Sequence, residues 1–307
     1  MAGGTGFVGR ELVRVLAERG CHLSILTRKN IRSSLGQVQY YEWNVMQEEI
    51  DISAFDNVDT IINLTGANIG EKRWRPKRKK EILESRVNAV RLLYKYVVEN
   101  KVPITTFISS SAVGYYGAVS YDTILNEASP NGNDFLGKVC RAWEMSAQVF
   151  SEINSRVVIL RKGIVLGNGG VYGKMAPLAK CGINTALGNG KQYMPWIDID
   201  DLIGMYIFFL ENQSLGGVFN AVATEHISMN DFAKNLLYSF DRNTILPNVP
   251  AFLVKIMFGE MASMLLEGTR VGNEKIKDAG FQFKNESLLE TLQKIKASGP
   301  KVALPTI

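Results

Sequence analysis

The chain has 307 residues, enough for one large α/β domain or two unequal ones. Its 46% hydrophobic and 21% charged residues are typical of a globular protein, and no apolar run of about 18 residues is present to span a membrane. The net charge of +5 permits an anionic ligand without requiring nucleic acid.

The few histidines and cysteines argue against a metal site. His22 and His226 are too few for a metal cluster or a nucleophile-histidine-acid triad, and both are expected to be structural. Cys21, Cys140 and Cys181 are odd in number and far apart, which predicts a reducing compartment and no zinc site. No basic-then-apolar signal peptide is present at the N-terminus, so we expect a cytoplasmic protein.

A glycine-rich turn opens the chain. Gly3, Gly6 and Gly9 form a G-x-x-G-x-x-G pattern, a variant of the dinucleotide-binding fingerprint in which small residues let backbone amides approach a pyrophosphate at a helix N-terminus. An amphipathic helix and a strand at 22–26 follow in the order of a βαβ unit. The turn therefore indicates a nucleotide site.

Few residues come before this turn. Only Met1 and Ala2 precede Gly3, whereas the fingerprint ordinarily follows a strand of about five or six residues in the middle of the sheet. Either the start is misassigned or the chain is shortened, or a chain that begins at Met1 lacks the middle strand, which puts its stability and cofactor affinity in doubt.

The end of the second strand indicates which nicotinamide cofactor is bound. NAD-dependent enzymes place Asp or Glu about 20 residues after the glycines, where the carboxylate binds the ribose diol. Here the sequence reads Thr27-Arg28-Lys29, and a guanidinium binds a 2′-phosphate instead. The sequence favours NADP(H); the alternative is an exposed Arg-Lys pair without a ligand.

The next strands lead to a basic segment. Strands are predicted at 38–43 and 60–64, and the small residues at 65–68 form a turn at a carboxyl end, where open α/β sheets bind ligands. Residues 72–80 hold seven basic side chains in nine and fit a solvated helix start or phosphate contacts. Nucleic-acid binding is disfavoured because aromatic residues are scarce there. Arg86, deeper in the same helix, is a better phosphate ligand.

Strands and helices then alternate along the chain. A strand at 105–109 ends in a serine-rich loop, a helix follows at 136–153, and another strand lies at 157–160. Alternation of this kind predicts an α/β fold with a Rossmann-type, doubly wound parallel sheet and a smaller, mostly helical C-terminal domain.

The second half of the chain is richer in glycine and then in helices. Asp200 or Asp201 is expected as the N-terminal acid of a helix. We predict an NADP-binding Rossmann domain at 1–222, with a loop insertion at about 167–194, and a helical substrate or lid domain at 223–307.

Several short motifs occur in order over nearly the whole chain. They are Gly3-Gly4-Thr5-Gly6-Phe7-Val8-Gly9, Asn63-Leu64-Thr65-Gly66-Ala67-Asn68-Ile69, Ser85-Arg86, Trp143-Glu144, Leu160-Arg161-Lys162-Gly163-Ile164-Val165-Leu166-Gly167, Pro195-Trp196-Ile197, Phe258-Gly259-Glu260-Met261, Leu265-Leu266-Glu267-Gly268 and Ala279-Gly280-Phe281. They resemble the atypical short-chain dehydrogenase/reductases of the 39U epimerase family, whose C-terminal domain has no assigned function. The resemblance implies a Rossmann-fold, NADP-dependent oxidoreductase or epimerase-like protein acting on an unknown small molecule.

The predicted cofactor site combines the glycine turn and the second strand with residues that the resemblance implies. By resemblance, Leu64 and Thr65 line the cofactor. Glu81 and Arg86 reach it from the following helix, and Val165 touches its nicotinamide end. The residues predicted to bind NADP(H) are Gly3, Thr5, Gly6, Phe7, Val8, Thr27, Arg28, Leu64, Thr65, Glu81, Arg86 and Val165.

The predicted catalytic residues are incomplete. Active reductases of this superfamily use a serine, a tyrosine and a lysine four residues after the tyrosine, which lowers the tyrosine pKa. Ser111 fits the serine, but the Tyr-x-x-x-Lys pair is absent and Lys138 is out of register. Tyr115 or Tyr116 is the candidate to replace the tyrosine, the alternative being a packing role for two adjacent aromatics, and Asp198 is a further candidate acid.

Two functional hypotheses remain open. One is an NADP-dependent enzyme for a small carbonyl- or hydroxyl-bearing substrate. The other is an NADP(H)-binding sensor or partner-binding protein without turnover. The resemblance further implies a homodimer through the helices at 76–99 and 136–153.

Overall fold

The computed structural model describes residues 1–28, 31, 36–119, 123–183, 185–243 and 246–299. Within them, parallel strands form one sheet and helices cover both of its faces. The predicted α/β, doubly wound architecture is therefore confirmed. Lys29, part of the predicted 2′-phosphate position, lies outside the described residues.

The described elements follow one another as the alternation predicted. The helices are α1 Phe7–Glu18, α2 Pro76–Glu99, α3 Phe135–Gln148, α4 Gly170–Lys180, α5 Ile199–Glu211, α6 Met229–Tyr238, α7 Ala251–Phe258, α8 Ala262–Leu266, α9 Glu274–Asp278 and α10 Leu288–Ala297. The strands are β1 Leu23–Thr27, β2 Val38–Asn44, β3 Glu49–Ile50, β4 Thr60–Asn63, β5 Thr106–Ala112, β6 Ile124–Leu125, β7 Arg156–Lys162, β8 Ile164–Leu166, β9 Trp196–Asp198, β10 Gly217–Ala221 and β11 Arg270–Val271.

The strands of the main sheet are parallel and run in the order β2, β1, β4, β5, β7, β10 across it. The short β3 pairs with β2 in the antiparallel sense. Because helices cover both faces, the central strands are apolar on both sides, and their sequences lack the alternation of a half-exposed strand.

Ala2 occupies the middle of the sheet. It pairs in parallel with Leu26 on one side and Asn63 on the other. Its amide donates to the Ile62 carbonyl over 2.9 Å, and its carbonyl accepts from the Leu64 amide over 2.8 Å. The middle position, expected to be missing, is therefore held by a bridge at Ala2 instead of a strand of the usual length.

Two layers of helices pack on the sheet. The helices α1 and α5 cover the face that holds Ile62 and Ile108, whereas α2 and α3 cover the face that holds Ile61 and Phe107. Successive side chains of a strand point to opposite faces, so each adjacent pair contributes to both layers. The two apolar clusters fix the carboxyl ends of β4, β5 and β7 at one edge of the sheet.

The C-terminal helices share a core with the segment that follows β7. Leu166 and Trp196 cluster with Phe232 of α6 and with Leu288 and Leu292 of α10. The strand β11 pairs with β6. The mostly helical C-terminal region is confirmed by α6 to α10, whereas the domain boundary between 222 and 223 stays a prediction.

One helix end differs from the sequence-based expectation, and another agrees with it. The helix predicted at 136–153 ends as an α-helix at Gln148 and continues as the 3-10 segment Val149–Ile153. At α5 the capping residue is Asp198, whose carboxylate accepts from the Asp200 amide over 2.7 Å. Asp200 and Asp201 lie in the first turn, where a carboxylate is favoured by the helix dipole, so the predicted N-terminal acid is confirmed.

Candidate functional site

The glycine turn lies at the carboxyl edge of the sheet, directly before α1. A Cβ atom at Gly9 would lie 2.2 Å from the Gly3 carbonyl oxygen, and one at Gly3 would lie 2.9 Å from the Leu64 carbonyl carbon. Gly3 has a φ of +83°, which favours glycine. These glycines let α1 pack directly against the ends of its neighbouring strands.

The N-terminus of α1 is open to a ligand. Its cap residue, Gly6, has no side chain to bind the first helical amides. Thr5 and Gly6 are exposed, while Phe7 and Val8 are half-buried. Helix amides without a side-chain cap, at the positive end of the helix dipole, form an anion site.

The predicted nicotinamide end lies next to Phe7. A Cβ atom at Gly169 would lie 2.8 Å from the Phe7 ring, and one at Gly170 would lie 3.6 Å from the Val165 carbonyl oxygen. The glycine loop after β8 therefore folds over Phe7. It brings Val165 to the same edge as the turn.

The residues predicted to select NADP(H) lie at the end of β1. Thr27 is buried as the last residue of β1, and Arg28 follows it with an exposed side chain. An exposed guanidinium at this position is free to meet a phosphate that approaches from solvent.

Arg86 lies against the turn after β4. A Cβ atom at Gly66 would lie 2.9 Å from its guanidinium carbon. The guanidinium donates to the Ala67 carbonyl over 3.2 Å and stacks over the Trp143 ring at 5.0 Å. Burial lowers the pKa of Arg86. A half-buried cation is thus held at the turn after β4 through backbone contacts.

Glu81 and the basic segment around it are engaged in contacts with the protein. The Glu81 carboxylate is exposed and pairs with Arg78 over 2.7 Å, which lowers the pKa of Glu81. Arg78 is buried, and Arg73 donates to the Ile256 carbonyl over 2.8 Å. Lys79 pairs with Glu260. The segment therefore connects α2 to the C-terminal region.

The hydroxyl of Ser111 belongs to a buried network. It donates to Glu144 over 2.6 Å. Arg161 donates to both carboxylate oxygens of Glu144, over 2.9 and 2.8 Å. Both charges of this pair are buried, and each compensates the other in the low-dielectric interior. Ser111 is fully buried, so its hydroxyl is directed to α3.

The two candidate tyrosines contact Arg161, which also binds Glu144. Tyr116 is buried, accepts from Arg161 over 3.1 Å and donates to Asn220 over 2.7 Å. Burial raises the pKa of Tyr116 to about 12. Tyr115 is half-buried, and its ring lies 3.4 Å from the Arg161 guanidinium carbon. The structure brings Ser111, Tyr115 and Tyr116 into one network; their catalytic roles stay predictions.

Asp198, the further candidate acid, is fully buried at the start of α5. Its carboxylate contacts the Lys294 ammonium over 2.7 Å. Burial raises the pKa of Asp198, and the Lys294 charge opposes that shift. The carboxylate thereby joins α5 to α10.

Sequence reasoning missed a second polar group at the same edge. The Lys162 ammonium donates to the Ser110 hydroxyl over 2.9 Å, and Ser110 contacts the Tyr206 hydroxyl over 2.9 Å. A signal was present, because Lys162 ends a strand that is otherwise mostly apolar. Its partners could not be read from sequence, because they lie on β5 and α5.

The described residues hold neither a metal-binding cluster nor a membrane-spanning helix. In the parts of the chain that the structure describes, no three His, Cys, Asp or Glu side chains are grouped so as to hold a metal ion. No helix of those parts has the length and apolar character needed to cross a bilayer.

A parallel sheet with helices on both faces, and a glycine turn opening a helix at its carboxyl edge, defines a Rossmann-type nucleotide-binding protein. Comparison with known families agrees with this class. Residues 1–221 match the NAD dependent epimerase/dehydratase family, and residues 249–295 match a domain of unknown function, DUF1731. The chain belongs to the NAD dependent epimerase/dehydratase family.

Three relatives are similar over nearly the whole chain. Epimerase family protein SAR0825 of Staphylococcus aureus is 34% identical over 95% of this chain and 97% of its own length. Epimerase family protein ML0860 of Mycobacterium leprae is 32% identical over 95% and 93%. The crystal structure of human epimerase family protein SDR39U1, isoform 2, with NADPH gives a TM-score of 0.85 at 30% identity, over 96% and 98%. The resemblance seen in the motifs is confirmed.

Proposed function

We propose that this protein is an NADP(H)-dependent oxidoreductase or epimerase-like enzyme that acts on a small molecule. The observation that carries this function is the open N-terminus of α1 at the glycine turn, where Gly6 presents backbone without a side-chain cap. The cofactor's pyrophosphate fits there because helix amides bind anions. The NADPH in the human SDR39U1 crystal supports the same cofactor.

Selectivity for NADP(H) follows from Arg28. A 2′-phosphate would meet its guanidinium at the end of β1, in the position where a carboxylate would favour NAD. The exposed side chain needs no rearrangement of the core to reach the phosphate.

The remaining predicted residues would surround the cofactor from three strand ends. Leu64 and Thr65 would contact it after β4, and Val165 after β8. Arg86 would supply positive charge from α2. When bound, the nicotinamide supplies or accepts a hydride. The chain's own residues would hold the substrate in line with it and exclude water.

Fluorescence titration with NADPH and NADH tests this function. We expect the wild-type chain to bind NADPH at least about tenfold more tightly than NADH, equivalent to about 1.4 kcal/mol. Arg28→Asp should remove or reverse the preference, because it places a carboxylate at the 2′-phosphate. Arg141→Asp, on an exposed position of α3, is the control and should keep it. Absence of binding to either nucleotide would overturn the proposed function.

A second candidate function is an NADP(H)-binding sensor without turnover. It is favoured by the buried network, in which the hydroxyls of Ser111 and Tyr116 are already bonded to protein groups. A panel of aldehydes, ketones and 2-oxo acids separates the two functions. An oxidoreductase oxidises NADPH in the presence of at least one of them, whereas a sensor binds NADPH and consumes none.

Two further features belong to the proposal. Residues 223–307 would act as a substrate or lid domain, and a homodimer would form through α2 and α3. Val98 of α2 and Met145 of α3 are exposed apolar side chains on these helices. Sedimentation of the wild-type chain and of Met145→Glu tests the dimer, which the added charge should dissociate. A monomeric wild-type chain would contradict it.

A further inference from the structure

Lys162 is a cation at the carboxyl edge that the cofactor site does not use. It is the last residue of β7, opposite Ala112 of β5 in the sheet register. Its half-buried side chain turns towards Ser110. Three residues further along the chain, Val165 lies at the predicted nicotinamide end. Lys162 is therefore placed where substrate and cofactor would meet.

The ammonium of Lys162 is held by neutral groups. It donates to Ser110, which is bonded to Tyr206, a fully buried residue of α5. Among the residues that the structure describes, no carboxylate pairs with Lys162 or with its neighbour Arg86. Two half-buried cations without acidic partners favour an oxygen ligand that carries or acquires negative charge.

The groups around Lys162 set its proton affinity. Burial, followed by the positive charge of Arg86, lowers the pKa of Lys162 to about 8. Burial raises the pKa of Tyr206, and it raises the pKa of Cys140, beside Arg86, to about 12. Both of these groups are neutral near pH 7, and Lys162 can exchange a proton there.

We propose that Lys162 binds the carbonyl oxygen of the substrate and donates the proton that a catalytic tyrosine supplies in other reductases. This role rests on the proposed NADP(H)-dependent function. Ser110 and Tyr206 are positioning residues, because they hold the ammonium without touching the substrate. The substrate class is a small aldehyde or ketone.

The proton transfer balances with the hydride step. A hydride from NADPH forms a C–H bond at the carbonyl carbon, and the C=O π electrons move to oxygen. One N–H bond of the Lys162 ammonium breaks as an O–H bond forms, which gives an alcohol, NADP⁺ and a neutral amine. The amine regains its proton from solvent.

Two substitutions at one position separate charge from proton donation. Lys162→Arg keeps a cation, but its pKa lies too high to release a proton near neutral pH. Lys162→Met removes both properties. Each variant is first titrated with NADPH and should bind it within about threefold of wild type, a difference of about 0.7 kcal/mol. Lys138→Met, on an exposed position of α3, is the control.

The kinetic result expected is a loss of kcat for carbonyl reduction of about 10²–10⁴-fold in both variants. In wild type, kcat/KM should fall as pH rises through about 8, where Lys162 loses its proton. This decrease of kcat/KM at high pH should be absent from both Lys162 variants and present in Lys138→Met. Full activity of Lys162→Arg would overturn proton donation.

A second measurement does not depend on turnover. Competitive acetylation of the full chain across a pH series, followed by mass spectrometry, should give Lys162 a pKa near 8, whereas exposed lysines titrate near about 10.4. Titration of Lys162 together with the exposed lysines would overturn the proton-donor role. So would NADPH binding without reduction of any carbonyl compound, or NADPH binding lost in Lys162→Met. Absence of NADPH binding by wild type would instead refute the proposed function itself.

Discussion

The buried pair of Glu144 and Arg161 is the residue-scale feature that organises the site. It joins α3 to β7 and fixes the hydroxyls of Ser111 and Tyr116 on either side. Burial of the two opposite charges costs desolvation energy. Their mutual attraction and the hydrogen bonds between them offset that cost. The pair is therefore sensitive to the loss of one partner.

Glu144→Gln should destabilise the protein by about 3–5 kcal/mol, because it leaves the Arg161 charge buried without a counterion. Urea unfolding monitored by circular dichroism measures the change. Lys95→Met, which breaks an exposed pair with Glu48, is the matched control and should cost about 0–1 kcal/mol. An equal decrease in the free energy of unfolding in the two variants would show that burial of the pair does not increase its contribution to stability.

At the scale of elements, the start of α5 is held by a charge pair whose carboxylate is buried. The first residues of α5 are fixed by Asp198, and Lys294 of α10 neutralises that buried carboxylate. The pKa of Asp198 is raised in the folded chain. At a pH between its ordinary pKa and the raised one, the folded chain therefore holds a proton that the unfolded chain has released. Ionisation of Asp198 thus costs stability as pH rises from its ordinary pKa to the raised one.

Lys294→Met should destabilise the protein by roughly 1–3 kcal/mol near neutral pH, because Asp198 is left ionised without its partner. The loss should shrink as pH is lowered towards the raised pKa of Asp198, where protonation removes the uncompensated charge. Thermal unfolding across a pH series measures both effects. Lys296→Met, which breaks an exposed pair with Asp241, should show neither. A loss that does not vary with pH would refute this role for Lys294.

The start of α1 is the second helix end with a functional consequence. Gly9→Ala places a methyl group 2.2 Å from the Gly3 carbonyl oxygen, so the turn and the helix must separate. We expect NADPH affinity to fall at least about tenfold and stability to fall by about 1–3 kcal/mol. Gly173→Ala in α4 is the control, since its methyl group would meet open space. Unchanged NADPH binding by Gly9→Ala would argue against an anion site here.

At the scale of the whole molecule, the sheet consists of two parts joined at Ala2. On one side lie β1, β2 and β3, and on the other β4, β5, β7 and β10. The pairings of Ala2 with Leu26 and Asn63 make these parts continuous. Ala2 therefore forms the joint between the two parts of the sheet.

Ala2→Pro should weaken this joint, because proline cannot donate to the Ile62 carbonyl. We expect a loss of roughly 1–3 kcal/mol from the unpaired buried carbonyl. Hydrogen exchange should show faster exchange at the Leu26 and Leu64 amides, which bond to the main chain of Met1 and Ala2. Retained protection at both amides would contradict the assignment.

Sequence patterns predicted most of the fold because its signals are local. The apolar strands, the glycine turn and the long helix at Pro76–Glu99 each have a signature within a short window. The N-terminal acids of α5 were predicted at 200 and 201, but the cap at Asp198 was not, because three aspartates at 198, 200 and 201 fit the same pattern.

The chemistry of the site was less accessible to sequence. The contacts between Ser111 and Glu144, and between Lys162 and Ser110, join residues on different elements. Which of these side chains meet depends on strand register and on the face to which each residue points. A motif gives residue types in order, but it does not say which face of the sheet each side chain occupies.

The joint at Ala2 also links ligand binding to folding. Gly3, the first residue of the proposed cofactor turn, follows Ala2 directly. A nucleotide bound to the proposed site would contact Arg28 on one part of the sheet and Thr65 on the other, and so clamp the two together. By mass action, a cofactor at about 100 times its dissociation constant adds about 2.7 kcal/mol to folded stability. The cellular NADPH concentration would then affect how long the folded protein survives, in addition to its rate of catalysis.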